Sequence, residues 1–284
     1  VAPVVFLSAE SEIMRQVITS SKNQRIKDAM ALGKGRKRKA AGLFGVEGER
    51  EIMRAIQSGY VPENLFICPD LLSPDLSVLI CEVERKRGLP VFEVSKDVFE
   101  KLAVREDSGG VFAIFPDRQL YLDELLLPAN ALIIAVEGIE KPGNLGALLR
   151  SADGAGFDAV VVLDALIDIY NPNVIRSSLG TVFSKQVVAV SSKEFYDFCL
   201  KKSLVTIGAA LSDRAINHDK QSYTASCSII LGSEAFGLSE FWMEHADHLV
   251  KIPMLGIADS LNVAMAGSIL MYEARRQVLA LENP

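Results

Sequence analysis

A chain of 284 residues, 49% hydrophobic and 23% charged, has the make-up of an ordinary globular protein with one large or two smaller domains. No apolar run reaches membrane-spanning length, and a net charge of −6 argues mildly against a nucleic-acid partner. The four cysteines (Cys68, Cys81, Cys199, Cys227) form no CxxC pair, so they read as reduced thiols of a cytoplasmic protein, not a disulfide frame or a zinc site.

The opening Val1–Leu7 is apolar but lacks a basic region before it, which makes a poor signal peptide. Ser11–Ile18 has room for one or two helical turns. A helix is expected from Asn23 to about Leu32, broken by Gly33 and Gly35, with a basic loop after it. Between Lys22 and Lys39, eight cations face the single acid Asp28. Charge segregated in this way outweighs the net charge and is an electrostatic footprint for phosphate. The candidate contacts are Lys22, Arg25, Lys34, Arg36, Lys37, Arg38 and Lys39; the plain alternative is a solvated basic loop.

From Leu43 to Phe115 strands and helices alternate. Strands are expected at Leu43–Glu47, Asn64–Cys68, Pro90–Val94 and Val111–Phe115, and helices at Glu49–Ser58, Leu76–Arg87 and Lys96–Leu102. The helix Glu49–Ser58 carries Ile52, Met53 and Ile56 on one face and is closed by Gly59. This sets a first α/β domain at 19–116. A linker follows at 117–128, with a short helix at Leu120–Leu126. A second domain runs over 129–284, with strands at Ala131–Val136, Ala159–Leu163, Gln186–Val190, Leu204–Ala209, Ser228–Leu231 and Asp247–Lys251. Helices fall between them at Gly146–Gly156, Pro172–Thr181, Glu194–Lys202 and Phe241–His245, and a last one spans Asn262–Leu281. Several of these strands are unbroken Val/Ile/Leu runs, as in a parallel sheet covered on both faces.

Three glycine-punctuated segments sit where strands of the second domain end, and strand ends are where open α/β sheets bind ligands. The first is Asn144-Leu-Gly146-Ala-Leu-Leu-Arg150-Ser-Ala152. Its Gly143-x-x-Gly146 spacing is not the G-x-G-x-x-G of a dinucleotide site, which counts against a dehydrogenase, and Asp164 alone does not rescue that reading. Arg150 lies a turn past Gly146, where it can project toward the loop. The second segment is Leu231-Gly232-Ser233-Glu234-Ala-Phe236-Gly237-Leu238, and it exposes a glutamate between glycines. The third is Ile252-Pro253-Met254-Leu-Gly256, continuing to Ser260-Leu261-Asn262-Val263, with Ser260 as the expected cap of the last helix. Each segment also has a plain helix-capping explanation. His245 and His248 lack a third ligand, so no metal is expected, and Phe241 and Trp242 read as packing or dimer contacts.

Taken in order, the three segments resemble the three motifs of the SpoU/TrmH-type RNA ribose 2′-O-methyltransferases of the SPOUT superfamily. N-x-G-x-x-x-R-x-A matches Asn144, Gly146, Arg150 and Ala152, with Gly156 following. G-S-E-x-x-G-L matches Gly232, Ser233, Glu234, Gly237 and Leu238. I-P-M-x-G…S-L-N-V matches Ile252, Pro253, Met254, Gly256, Ser260, Leu261, Asn262 and Val263. Asn173–Gly180 is similar to a further family stretch. Ala264 departs from the serine often found there, so any bond made by that serine is lost. The stretch from Phe44 to Ser58 resembles the opening of a small ribosomal-protein-like substrate-binding domain, before which the basic run fits an RNA arm.

The resemblance implies an α/β parallel-sheet SPOUT domain with a C-terminal trefoil knot and a homodimer with its site near the subunit interface. It implies S-adenosylmethionine (AdoMet) held around Leu231, Gly232, Ser233, Gly237, Ile252, Pro253, Met254, Gly256, Ser260, Leu261 and Asn262. It implies methyl transfer to a ribose 2′-OH of RNA, ribosomal RNA first, with Asn144, Arg150, Glu234 and Asn262 as catalytic residues. Arginine is a poor base, so Arg150 is expected to clamp the target phosphate, with Glu234 and Asn144 orienting it or the ribose. The alternatives are a tRNA methyltransferase and a non-catalytic RNA-binding ribosome-assembly protein.

Overall fold

The structure is a computed structural model and describes residues 15–103 and 108–282. Two sheets organise it. The first is built from β1 (Gln16–Ile18), β2 (Leu43–Glu47), β3 (Asn64–Ile67), β4 (Val91–Val94) and β5 (Val111–Pro116), in the order β1-β4-β3-β5-β2. Strands β1, β4 and β3 run parallel, and β5 pairs antiparallel with both β3 and β2. Its helices are α1 (Gln24–Ala31), α2 (Gly35–Ala41), α3 (Glu49–Gln57), α4 (Pro74–Arg87) and α5 (Lys96–Leu102).

The second sheet is parallel throughout, in the order β10-β12-β9-β11-β6-β7-β8. Its strands are β6 (Leu132–Glu137), β7 (Ala159–Leu163), β8 (Gln186–Val190), β9 (Val205–Ala209), β10 (Ile216–Asn217), β11 (Cys227–Leu231) and β12 (His248–Lys251). The helices are α6 (Pro142–Gly154), α7 (Pro172–Ser177), α8 (Thr181–Ser184), α9 (Ser192–Lys202), α10 (Glu240–His245) and α11 (Val263–Glu282). Every residue of β6, β7 and β11 is buried, which is why these strands read as unbroken apolar runs rather than alternating ones. The chain enters at β6, moves out through β7 and β8, and returns on the other side, where β11 is inserted between β6 and β9. The order therefore reverses at the centre of the sheet, the place where a crevice opens beyond the carboxyl ends.

The two units share one core. Phe44 of β2 stacks on Tyr170 with ring centroids 4.1 Å apart and planes 4° from parallel, and Tyr60 meets Phe183 edge-on at 5.1 Å. Arg54 Nη1 donates to the Leu179 carbonyl at 2.5 Å. The segment between the units is not free either: Leu125 is buried, and Leu120, Leu122 and Leu127 pack on the second sheet's core.

Several local expectations change. Gln16–Ile18 is a strand paired with β4, not a helical turn; residues 11–14 lie outside the described residues. The basic cluster is a helix, α2, not a loop: Gly33 ends α1, but Gly35 begins α2, and Gly42 in the left-handed region closes it. The helix expected at Leu120–Leu126 is a single 3-10 turn at Leu122–Glu124. The helix expected over Pro172–Thr181 is split into α7 and α8 by Leu179 and Gly180, both with positive φ. Strand β10, only two residues long, carries no pattern to betray it.

Candidate active site

The carboxyl ends of β9, β11 and β12 surround a cavity of about 710 Å³. The second and third glycine-punctuated segments line it, and the first is joined to them through Asn144, which bonds Glu234 and Asn262. Leu231, Gly232, Ser233, Gly237, Ile252, Met254, Ser260, Leu261 and Asn262 line it, as does Glu234. Pro253 and Gly256 do not; both are exposed in the loop that carries their neighbours. Sequence reasoning missed Ala209, Ala210 and Leu211 at the end of β9, Met243, and Lys141. The strand end at Ala209 was the available signal for the first three.

The second segment folds as a tight turn. Ser233 and Gly237 exchange backbone bonds of 2.9 and 3.0 Å, and the Phe236 amide donates to Ser233 Oγ at 3.2 Å. A Cβ on Gly232 would run into the backbone of Gly237 and Leu238, so only glycine lets the turn close on itself. Beneath it, Glu137 at the end of β6 is buried and accepts from the Ser239 amide at 2.9 Å, with Ser192 Oγ 3.2 Å away. This carboxylate fixes the far end of the turn to the sheet. Asp164 likewise accepts from Ser192 Oγ at 2.5 Å, a structural use.

The first and third segments meet over the same turn. Pro142 at the first position of α6 starts the helix earlier than expected, which places Asn144 in its first turn. A Cβ on Gly146 would strike Ser177, so the glycine lets α6 lie against α7. Asn144 Nδ2 donates to Glu234 Oε1 at 2.6 Å, and Asn262 Nδ2 donates to Asn144 Oδ1 at 3.1 Å. Asn262 Oδ1 in turn accepts from the Ala264 amide at 2.9 Å, so Asn262, not Ser260, caps α11. The alanine at 264 is buried and contributes only its backbone here.

Lys141 completes the group, with Nζ 2.5 Å from Glu234 Oε2. Glu234 is exposed through its backbone, and its side chain keeps 19% of its surface. Partial burial pushes its carboxyl up, but the Lys141 and Asn144 bonds outweigh it and hold the group below the ordinary carboxylate range. Lys141 is held above its own ordinary value by the same bond.

Arg150 is not in this group. It is exposed, does not line the cavity, and its side chain makes no hydrogen bond or ion pair among the described residues. A helix explains the separation: Arg150 lies about 9 Å further along α6 than Asn144 and roughly 120° around it. Glu234 bonds both Asn144 and Lys141, and neither Glu234 nor Asn144 is bonded to the Arg150 side chain among the described residues.

The basic cluster divides. Lys22, Arg25, Lys34, Arg36, Lys37 and Lys39 are exposed. Arg38 is 4% exposed and turned inward, with Nε 2.6 Å from Asp168 Oδ2 and Nη1 2.8 Å from the Leu32 carbonyl. It joins the two units and is a structural residue. Trp242 is fully buried and donates to Ser192 Oγ at 3.1 Å, and His245 stacks on Phe241. No group of three or more metal-ligating residues occurs among the described residues.

Comparison with known proteins places this arrangement. Residues 131–272 match the SpoU rRNA Methylase family, and residues 23–113 match the MRM3-like substrate binding domain. The chain is 28% identical over 258 residues to the 23S rRNA (guanosine(2553)-2′-O)-methyltransferase RlmP of Bacillus subtilis (strain 168), covering 91% of this chain and 98% of the relative. A crystal structure of an RNA 2′-O ribose methyltransferase is 38% identical, with a TM-score of 0.78 over 93% of this chain and 100% of that one. The SpoU methyltransferase AviRb from Streptomyces viridochromogenes, solved in complex with AdoMet, is 29% identical, with a TM-score of 0.82 over 91% and 100% of the two chains. With half its length matched to one family model, and that half holding the cavity and all three segments, the chain belongs to the SpoU rRNA methylase family.

Proposed function

We infer that this chain is an AdoMet-dependent rRNA 2′-O-ribose methyltransferase. The observation that carries the reading is that two distant segments line one cavity and the third is bonded to both through Asn144–Glu234 and Asn144–Asn262. The cavity suits the donor: residues 232–237 of the turn and Ile252, Met254 and Ser260–Asn262 line it, and Leu231, Ile252, Leu261 and Leu270 give apolar walls for an adenosine. When bound, AdoMet supplies a methyl on a sulfonium that is already a good leaving group.

The protein's part is to position the ribose and to ease the loss of its hydroxyl proton. Glu234, Asn144 and Asn262 present fixed polar atoms at the cavity mouth. Arg150 clamps the target phosphate and lowers the cost of forming an alkoxide, with the proton leaving to water or phosphate. An arginine whose side chain has no bonded partner among the described residues fits a residue acting across a subunit contact. Met265, Ile269 and Tyr272 form an exposed apolar stripe on α11, beside α6, and support a homodimer there. The insertion of β11 between β6 and β9, with α11 packed back on α6 and β11, supports the trefoil knot.

We read 19–116 as the substrate-binding domain, 117–128 as its connection and 129–284 as the catalytic domain. The exposed cations of α1 and α2 are its RNA contacts. Ribosomal RNA is favoured over tRNA by the named activity of the relative that spans the chain almost end to end. Free cysteines and an rRNA substrate agree with a cytoplasmic site of action. Calorimetric titration with AdoMet tests the reading: saturable binding, weakened by Gly232→Ala, is expected. Absence of binding at millimolar AdoMet contradicts it.

A further inference from the structure

Lys141 keeps 71% of its side-chain surface exposed, yet its ammonium sits on one carboxylate oxygen of Glu234. The pair is the first link of a continuous chain of bonds. Glu234 Oε2 takes Lys141, and Oε1 takes Asn144 Nδ2. Asn144 Oδ1 takes Asn262 Nδ2, and Asn262 Oδ1 takes the Ala264 amide at the start of α11. The chain ties the loop before α6, the 233–237 turn and the head of α11 to one another. Both amides are bonded at oxygen and at nitrogen, so their orientations are fixed from both ends. An exposed ion pair contributes little to stability, so stability does not account for this one. Glu140, the neighbouring acid, also acts on Lys141, but the ammonium is bonded to Glu234.

We propose that Lys141 is a positioning residue for methyl transfer: by pinning one oxygen of Glu234 it turns the other to Asn144, and so sets the Asn144–Asn262 pair at the cavity mouth. The proposal rests on the methyltransferase reading above.

Charge supplies a second handle. Lys141, from the loop before α6, is the only ionisable group acting on Glu234 among the described residues; α6 contributes the neutral Asn144, and α11's cap Asn262 is neutral as well. The pair holds Glu234 below the ordinary carboxylate range. Without the ammonium the carboxyl returns toward that range. Activity that needs the anion is lost as pH falls through the Glu234 pKa, so the acid limb of the rate profile moves to higher pH in a variant lacking Lys141.

The test uses the full chain with AdoMet and large-subunit rRNA, comparing wild type, Lys141→Met, Lys141→Arg, Glu234→Gln and the Lys141→Met/Glu234→Gln double variant. Lys141→Met is expected to lower kcat roughly tenfold or more, to leave AdoMet affinity within about twofold, and to raise the acid limb. Lys141→Arg restores kcat. In the double variant Lys141→Met adds nothing to the loss caused by Glu234→Gln, because the two act as one unit. Carbon-13 NMR of the Glu234 carboxyl reads the coupling without turnover: its titration moves to higher pH in Lys141→Met. An active wild type with an indifferent Lys141→Met, an unmoved Glu234 titration, or weakened AdoMet binding with kcat intact overturns the proposal. A wild type that binds no AdoMet and transfers no methyl removes the underlying reading instead.

Discussion

Arg150 and Asn144 belong to one helix and face different ways, and their separation sets the first prediction. Asn144 is held in the bonded group at the cavity, whereas the Arg150 side chain is exposed and has no bonded partner among the described residues. If Arg150 clamps a phosphate through the planar fork of its guanidinium, lysine replaces the charge but not the two-point contact. Arg150→Lys is then expected to lower kcat roughly tenfold or more with AdoMet affinity unchanged; near-full activity in single-turnover assays contradicts the clamp. The cysteines give a second prediction. Burial pushes the thiols of Cys199 and Cys227 up to about 12, and that of Cys68 upward as well, so they stay protonated near neutral pH. Cys81 is exposed. Alkylation of the folded protein at mildly alkaline pH, read by mass spectrometry, is expected at Cys81 first, and labelling of Cys199 or Cys227 at the same rate contradicts the packing. At this scale the sequence announced Asn144, Glu234 and Asn262 by motif. It did not announce Lys141, because a lysine in a loop is ordinary until the fold brings Glu234 to it.

Helix α2 shows what a charge run conceals. Read as composition, Lys34 to Lys39 is one basic patch. Folded as a helix, it turns Arg38 inward to Asp168 and leaves Lys34, Arg36, Lys37 and Lys39 outside. The helix was illegible because Gly33 and Gly35 lie two residues apart and a glycine at a helix start looks the same as one at a helix end. The division makes a paired prediction. Reversing the exposed cations to glutamate is expected to weaken rRNA binding and to flatten its salt dependence by about 0.7–0.9 in slope per lost phosphate contact, without changing the melting temperature. Arg38→Gln is expected to do the opposite, lowering stability by about 2 kcal/mol in urea unfolding with the salt slope unchanged. Equal effects of both variants on RNA binding contradict the assignment. Most other elements were legible from their periodicity, and the errors fall at their ends. Pro142 starts α6 a turn before Gly146, and positive φ at Leu179 and Gly180 divides α7 from α8.

At the scale of the whole molecule, the two units are joined by packing that no sequence pattern announces. Phe44, Tyr60, Phe115, Tyr170 and Phe183 form one aromatic cluster across both units, and Arg38–Asp168 crosses the same boundary. Contacts between residues so far apart in sequence leave no periodic trace, which is why the alternation of strands and helices was readable and the fusion of the two cores was not. The parallel order of the second sheet was expected from its apolar runs, and the insertion of β11 beside β6 was not. The stripe of Met265, Ile269 and Tyr272 predicts the assembly. Ile269→Asp is expected to shift the protein from dimer to monomer in sedimentation velocity and to lower methyl transfer, and a wild type that sediments as a monomer at micromolar concentration contradicts the homodimer. The central claim is the reaction itself, and mapping ribose methylation on large-subunit rRNA incubated with the purified chain and labelled AdoMet tests it most directly. The account predicts label at a 2′-oxygen, lost in Asn144→Ala and Glu234→Gln; label on a base, or no label on rRNA from cells lacking the protein, would contradict it.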